Sequence, residues 1–330
     1  VIVFHVAANE KIGMGNLSRC FSIGKHLGTT INNIVIICEG KQKLATVFAF
    51  EEGKIYYVED REKALEWIQV LFQKKAKNNN ILITDIIELN EHDRVSYEML
   101  GAEVIIQLND VNVDRFCPDI FINGDNFVEV KNKQIKKYTG STYQIIRNDL
   151  IIYRPQHFIK IKNIKKVMIV LGGSDPSGYT EKFINFFNNN YLAYTFYVVC
   201  GPGFNNNRRK RLMNNYLNRN IIILDNPYLP EYLVNVDVVV TLGGLTSYEA
   251  MYLGKPVLAI EWAHMSYYVK ELEKKGLLKS LGNGEEVFGN LVSNLNNIPL
   301  LNDIAKSGWY EIDGKGTERI VNLIKGILMN

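Results

Sequence analysis

The chain is expected to fold as an α/β protein, with two doubly wound parallel sheets flanked by helices and facing a central cleft. Three observations carry that expectation. Strand-like runs of Val, Ile and Leu alternate with helical patterns through nearly the whole sequence. Those runs are continuously apolar rather than alternating, as strands covered by helices on both faces should be. The polar, basic stretch Glu129–Lys165, with Gly140 and Pro155, interrupts the rhythm once near the middle. A length of 330 residues allows each half its own core. Two domains follow, residues 1–150 and 151–312, with 313–330 a separate closing segment.

In the first half, strands are expected at Val1–Val6, Ile34–Cys38, Ile55–Val58, Ile81–Asp85, Val104–Leu108 and Asp119–Ile122. Helices are expected near Leu17–Leu27, Lys43–Phe50, Glu62–Lys75 and Asp93–Leu100. Leu17, Cys20, Phe21, Gly24 and Leu27 share one face at a helical period, and Gly28 suits the position just past the helix end. Leu65, Ile68, Leu71 and Phe72 form a similar stripe. In the second half, strands are expected at Val167–Leu171, Thr195–Val199, Ile221–Leu224, Val236–Thr241 and Val257–Ile260. Helices near Tyr179–Phe187, Arg208–Leu217, Pro230–Val234, Thr246–Leu253 and Ser266–Lys275 separate them, and Gly316–Leu328 closes the chain. The asparagine triplets at 78–80, 188–190 and 205–207 fall between elements and suit turns.

A net charge of +3 is too mild to argue for nucleic acid. The run Arg208-Arg209-Lys210-Arg211 is read as a solvated helix face. Cys20, Cys38, Cys117 and Cys200 are scattered, without a Cys-x-x-Cys pair or a His at ligand spacing. Three adjoin apolar strand or helix patterns and read as small buried hydrophobes in a reducing cytoplasm, and no metal or cofactor is expected. No apolar run approaches the roughly 18 residues of a spanning helix, and no leader pattern opens the sequence. Membrane contact is expected to be peripheral at most.

Chemistry is expected at glycine-marked turns that follow strands and open helices. Such turns bring backbone N–H groups and a helix N-terminus to a strand's carboxyl end, where open α/β sheets bind phosphate-bearing ligands. The first is Ile12-Gly13-Met14-Gly15-Asn16, with Asn16 suited to cap the next helix and Arg19 projecting from its first turn. The second is Gly172-Gly173-Ser174-Asp175-Pro176, suited to orient a sugar diphosphate, or with Ser174 or Asp175 capping the next helix. The third, Gly243-Gly244-Leu245-Thr246-Ser247 with Glu249, is the sharpest. Its amides and the Thr246 and Ser247 hydroxyls suit a pyrophosphate, and Glu249 suits a pair of ribose hydroxyls or simply the helix dipole. Asn226-Pro227-Tyr228-Leu229 offers backbone groups to a base edge, and Cys200-Gly201-Pro202-Gly203 closes a neighbouring strand. Both also suit plain turns.

Four motifs, in order, resemble one known family. They are Ile12-Gly13-Met14-Gly15-x-x-x-Arg19, the Gly-Gly-Ser-Asp-Pro loop at 172–176, the Gly-Gly-x-Thr-x-x-Glu turn at 243–249, and Asp313-Gly314-Lys315-Gly316-x-x-Arg319-Ile320. The family holds the UDP-sugar hydrolase of pseudaminic acid biosynthesis and related spore-coat polysaccharide proteins. It is a branch of the GT-B superfamily, which also contains the lipid-II-forming N-acetylglucosaminyltransferase. The resemblance implies two Rossmann-like domains, the second holding UDP with Glu249 on the ribose and the 244–247 turn on the diphosphate. It implies sugar and attacking group on the first domain, and a closing helix that crosses back to it. Amides and hydroxyls around the diphosphate would stabilise UDP as leaving group without a metal.

Two departures bear on chemistry. The hydrolase carries His, thought to activate water, where this chain has Asn16, and an Asp where it has Ala7. An amide takes no proton at neutral pH, whereas imidazole does. His5 lies within the first strand, in a position suited to the core. Substitute bases are Glu10, Asp85 and Asp110. The favoured expectation is transfer from a UDP-sugar to a sugar or lipid-linked acceptor in surface-polysaccharide or nonulosonic-acid-type glycan biosynthesis. UDP-sugar hydrolysis and a non-catalytic nucleotide-sugar-binding subunit are the alternatives.

Overall fold

The computed structural model describes all residues except 10–12, 30, 32, 41–53, 74–78, 111, 191, 215–219, 264 and 330. The chain divides into two compact units: Val1–Arg147 with Gly314–Asn330, and Asn148–Asp313. The helix expected at Lys43–Phe50 lies outside the described residues.

The first unit is a seven-stranded parallel sheet: β1 (Ile2–Ala7), β2 (Ile34–Glu39), β3 (Lys54–Val58), β4 (Ile81–Asp85), β5 (Val104–Leu108), β6 (Ile120–Asn123) and β7 (Lys136–Thr139). The strand order is β3-β2-β1-β4-β5-β6-β7, so direction of winding reverses between β1 and β4. The carboxyl ends of those two strands therefore flank the crevice where such sheets take ligands. One face is covered by α1 (Gly15–Gly28) and the closing helix (Gly316–Met329), which bury Leu17, Cys20, Ile23, Ile320, Val321 and Ile324 against Phe4, Val6 and Ile83. The other face carries α2 (Arg61–Gln73) and α3 (Glu91–Met99), packing Ile68, Phe72 and Tyr97 on Val3, Ile37 and Leu82. A short α4 (Val113–Phe116) leads into β6.

Gly316 shows why the closing helix begins with glycine. A Cβ there would lie 2.1 Å from the carbonyl oxygen of Gln144, which is backbone and cannot swing aside. Thr317 Oγ1 adds a hydrogen bond of 3.3 Å to the Ile146 carbonyl. The helix is seated by a close approach that only glycine permits.

The second unit is a six-stranded parallel sheet: β8 (Lys166–Ile169), β9 (Thr195–Cys200), β10 (Ile221–Asp225), β11 (Val238–Thr241), β12 (Val257–Ala259) and β13 (Lys279–Ser280). Its order, β10-β9-β8-β11-β12-β13, places the switch point between β8 and β11. Helices α5 (Tyr179–Asn189), α6 (Asn206–Asn214), α7 (Leu229–Asn235), α8 (Leu245–Tyr252), α9 (Met265–Lys274), α10 (Glu286–Leu295) and α11 (Ile298–Glu311) cover it. Phe183, Phe187, Phe196 and Phe288 anchor the core, with the rings of Phe187 and Phe196 stacked.

The alternation of elements is the one the sequence predicts, with differences where local pattern is weak. β7, Lys136-Lys137-Tyr138-Thr139, lies inside the stretch read as irregular. It is an edge strand, and edge strands carry lysine rather than an apolar run. β13 spans two residues and offers no period. Helices α10 and α11 had a readable signal in Val287, Phe288, Leu291 and Leu295, and in Leu301, Ile304, Ala305 and Gly308. No helix among the described residues is long and apolar enough to cross a membrane.

Candidate functional site

In the second unit, the loops after β8, β9, β10 and β11 gather at the carboxyl edge of four adjacent strands. Gly172 takes a left-handed φ of 78°, turning the chain off β8. The next loop is pressed against this turn: a Cβ on Gly201 would lie 2.3 Å from the Gly173 carbonyl oxygen. The Gly203 N–H donates to that same oxygen at 2.8 Å. Two glycine loops thus pack into one continuous surface.

Asp175 faces inward. Its Oδ2 accepts from the Thr180 N–H at 2.8 Å, capping α5, and from Arg208 Nη2 at 3.0 Å. Its Oδ1 accepts from the Ser177 hydroxyl. Asp175 is buried and itself sits at a left-handed φ of 42°. Of the two roles open to this residue in sequence, the geometry matches the helix cap. Ser174 is buried too, and its carbonyl accepts from Arg208 at 2.7 Å.

The turn after β11 is built around Thr241. Its Oγ1 accepts from the Gly243 N–H at 3.0 Å and lies 2.7 Å from Ser247 Oγ. Ser247 is fully buried, so its hydroxyl braces the turn from within rather than facing a ligand. Thr246 is half-buried at the rim. Gly243 holds φ at 82°, and a Cβ there would lie 2.5 Å from Val269 Cγ2. Gly244 precedes α8 in extended conformation, and no side chain caps that helix. The N–H groups of Leu245 and Thr246 belong to the first turn, whose donors have no partner within the helix.

Glu249 is the fifth residue of α8, past its first turn. It is 3% exposed. The helix dipole acts mainly within the first turn, so it is a weak reason for a carboxylate at this depth. Asn226 takes a left-handed φ of 45° and donates its N–H to the Cys200 carbonyl at 2.8 Å. Pro227 follows, Tyr228 is 46% exposed, and Leu229 opens α7.

The basic run is a solvated face only in part: Lys210 and Arg211 are exposed, whereas Arg208 and Arg209 are gripped. Arg208 stacks on the Phe204 ring, 4.1 Å from its centroid, and grips both Glu181 oxygens at 2.6 Å. Arg209 donates to the carbonyls of Phe204 at 2.8 Å and Gly201 at 2.6 Å, and pairs with Asp225. Charge patterning alone misses both residues, because their partners come from distant strands and loops.

In the first unit, Gly13 holds φ at 86° and donates its N–H to the Asn9 carbonyl at 2.8 Å. Gly15 opens α1. Asn16 does not cap that helix: Met14 is the cap residue, and no side chain caps. Instead Asn16 Nδ2 donates to the Asp85 carbonyl at 3.1 Å, and its Oδ1 accepts from Arg19 Nη2 at 2.8 Å. Arg19 Nε and Nη2 each reach an Asp85 carboxylate oxygen at 2.9 Å. With its amide oriented to suit its neighbours, Asn109 accepts from Arg19 Nε at 2.8 Å and donates to Asn123 Oδ1 at 2.8 Å. A continuous polar array therefore spans the carboxyl ends of β4, β5 and β6. Asn109 and Asn123 in it were missed in sequence.

Burial pushes the Asp85 carboxyl above its ordinary value, and Arg19 pulls it part of the way back. Asp110 is buried, accepting from Gln107 Nε2 at 2.6 Å and the Asn112 N–H at 3.1 Å. Glu10 lies outside the described residues. His5 is in the core, its Nδ1 2.9 Å from the Tyr97 hydroxyl and its Nε2 2.9 Å from Glu39.

No family model matches the chain. An uncharacterized protein of Methanocaldococcus jannaschii is 24% identical over 280 residues, 80% of this chain and 55% of that protein. The chain thus spans about half the length of the curated relative it matches. Among solved structures, MurG of Acinetobacter baumannii superposes with a TM-score of 0.66 at 14% identity, over 98% of this chain and 99% of that one. The S. aureus MnaA–UDP co-structure gives 0.66 at 12% identity, covering 100% and 98%. WaaG, a glycosyltransferase involved in lipopolysaccharide biosynthesis, gives 0.60 at 12%, covering 99% and 100%. These likenesses establish the fold: this chain has the GT-B architecture of two Rossmann-like domains.

Proposed function

We propose that this chain is a nucleotide-sugar-dependent enzyme that cleaves the anomeric C–O bond of a UDP-sugar and transfers the sugar to an acceptor hydroxyl. One observation carries the reading. At the β8/β11 switch point, α8 begins behind two glycines with no side-chain cap hydrogen bond at its N-terminus. Such a helix end favours an anion by its dipole and by its first-turn donors. The MnaA–UDP co-structure, which shares the fold, supports uridine diphosphate as that anion.

In this reading the amides of Leu245 and Thr246, with the Thr246 hydroxyl, hold the diphosphate. They stabilise the charge that grows on UDP as the sugar leaves. Glu249 accepts hydrogen bonds from the ribose, and the 226–229 loop borders the base. The acceptor hydroxyl attacks the anomeric carbon, UDP departs with the bond's electrons, and the acceptor proton passes to a carboxylate. Asp85 is a poor base because Arg19 holds both its oxygens. Asp110 is buried with both oxygens likewise held, by Gln107 and the Asn112 N–H, which leaves Glu10 as the preferred base. Asn16 favours transfer over hydrolysis, since an amide hydrogen-bonded to Arg19 and Asp85 cannot activate water as histidine does.

Calorimetry with UDP on the wild type and on Glu249→Ala tests the nucleotide site. Saturable binding weakened by the substitution supports it, while no wild-type binding refutes it. A panel of UDP-sugars tests the reaction: UDP released only with acceptor supports transfer. Release into water alone indicates a hydrolase, and none across the panel indicates a binding subunit.

A further inference from the structure

We infer that Arg208 and Arg209 are positioning residues that pre-shape the nucleotide loops of the second unit; this rests on the UDP reading above. Their hydrogen bonds divide between loops, although Arg208 also stacks on the Phe204 ring of the loop after β9. Arg208 serves the loop after β8: it donates to the carbonyls of Ser174 at 2.7 Å and Asp175 at 3.1 Å, and to Asp175 Oδ2 at 3.0 Å. Its Nε and Nη2 are held by the two oxygens of Glu181. Arg209 serves the next two loops, through the carbonyls of Gly201 and Phe204 and the carboxylate of Asp225, which precedes Asn226-Pro227-Tyr228. Two consecutive residues thereby tie three loops of one sheet edge.

The helix that carries them contributes little else. Leu212 is the one buried residue within α6. Phe204, under the Arg208 guanidinium, and Leu212 belong to the same buried cluster as Phe183, Phe187 and Phe196, so the test must separate loop positioning from a loss of stability. The charge of Arg208 is already matched by Asp175 and Glu181. It acts through the loop rather than on a phosphate. Arginine is required because a planar fork satisfies several oxygens at fixed angles, which a lysine ammonium does not.

The division of contacts gives a readout that general destabilisation would not produce. On the UDP reading the β8 loop, beside the turn after β11, lies on the diphosphate side of the site, whereas the loop after Asp225 borders the base. Arg208→Lys should weaken UDP by about tenfold or more while leaving uridine affinity nearly unchanged. Arg209→Lys should weaken UDP and uridine by similar factors. The experiment is calorimetry with UDP and with uridine on the full chain, beside thermal melts. Should either arginine variant fail to fold, Glu181→Gln and Asp225→Asn each remove one outer arm, and the same split is expected at smaller size. Wild-type binding weakened by Glu249→Ala, with all four variants binding both ligands as the wild type does, overturns the inference and leaves the UDP reading intact. Equal losses for both ligands in the Arg208 and Glu181 variants also overturn it. Absence of UDP binding to the wild type defeats the underlying reading and the inference with it.

Discussion

Arg19 grips Asp85 with two parallel hydrogen bonds, each 2.9 Å, at the carboxyl end of β4. Asp85 is fully buried while Arg19 is 15% exposed, so the carboxylate cannot turn to water if the guanidinium is removed. Breaking such a pair from one side leaves a buried charge without compensation.

Arg19→Met should therefore destabilise the first unit by about 3 kcal/mol at neutral pH. The loss should shrink in acid, because a protonated Asp85 no longer carries the buried charge. Urea titrations of both proteins at pH 7 and pH 4.5 measure this. A loss of equal size at both values would show that packing, not charge, is at stake.

A second pH effect comes from His5. Burial lowers its pKa, against the opposing pull of Glu39. The unfolded chain takes up a proton near about pH 6.5 while the folded chain does not, so stability is full above that value and falls as pH drops below it. Burial raises the Glu39 pKa, but His5 and Arg61 outweigh it and leave it low, so its contribution is lost only below its ordinary value. His5→Asn should flatten the stability profile between about pH 7 and 5 and leave the steeper acid limb in place. Denaturant midpoints across that range supply the check.

The neighbouring hydroxyls of α8 should separate cleanly. Ser247→Ala removes the buried contact to Thr241 and should cost about 1 kcal/mol of stability. Thr246→Ala, at the rim, should leave the melting temperature unchanged and weaken UDP binding several-fold. Melting curves and calorimetry on the two variants distinguish the roles, and identical behaviour would count against them.

Gly316→Ala should loosen the closing helix, since the added methyl meets the Gln144 backbone. A loss of about 1–3 kcal/mol is expected. Limited proteolysis should then cut within residues 314–329 sooner than in the wild type.

The fold was legible because its central strands are apolar on both faces, as Val238-Val239-Val240 and Ile81-Leu82-Ile83 show. Edges were not: Lys136 and Lys137 give β7 no apolar signature. The glycine turns were legible because left-handed φ at Gly13, Gly172 and Gly243 restricts the residue type. Which hydroxyl faces outward was hidden, since Thr246 and Ser247 differ only by about 100° of helix rotation. The roles of Arg208 and Arg209 were hidden for a different reason. Solvated and gripped guanidinium groups look alike until Asp175, Glu181 and Asp225 arrive from other elements.

The first unit is assembled from two separated stretches of chain, with Ile320, Val321 and Ile324 completing its interior. During synthesis from the N-terminal side, that interior stays open until residues 316–329 have left the ribosome. The second unit is uninterrupted in sequence and can close earlier. Birth order and folding order are thus reversed, and the earliest-made half waits longest with apolar surface uncovered, the interval in which chaperones have the most to bind.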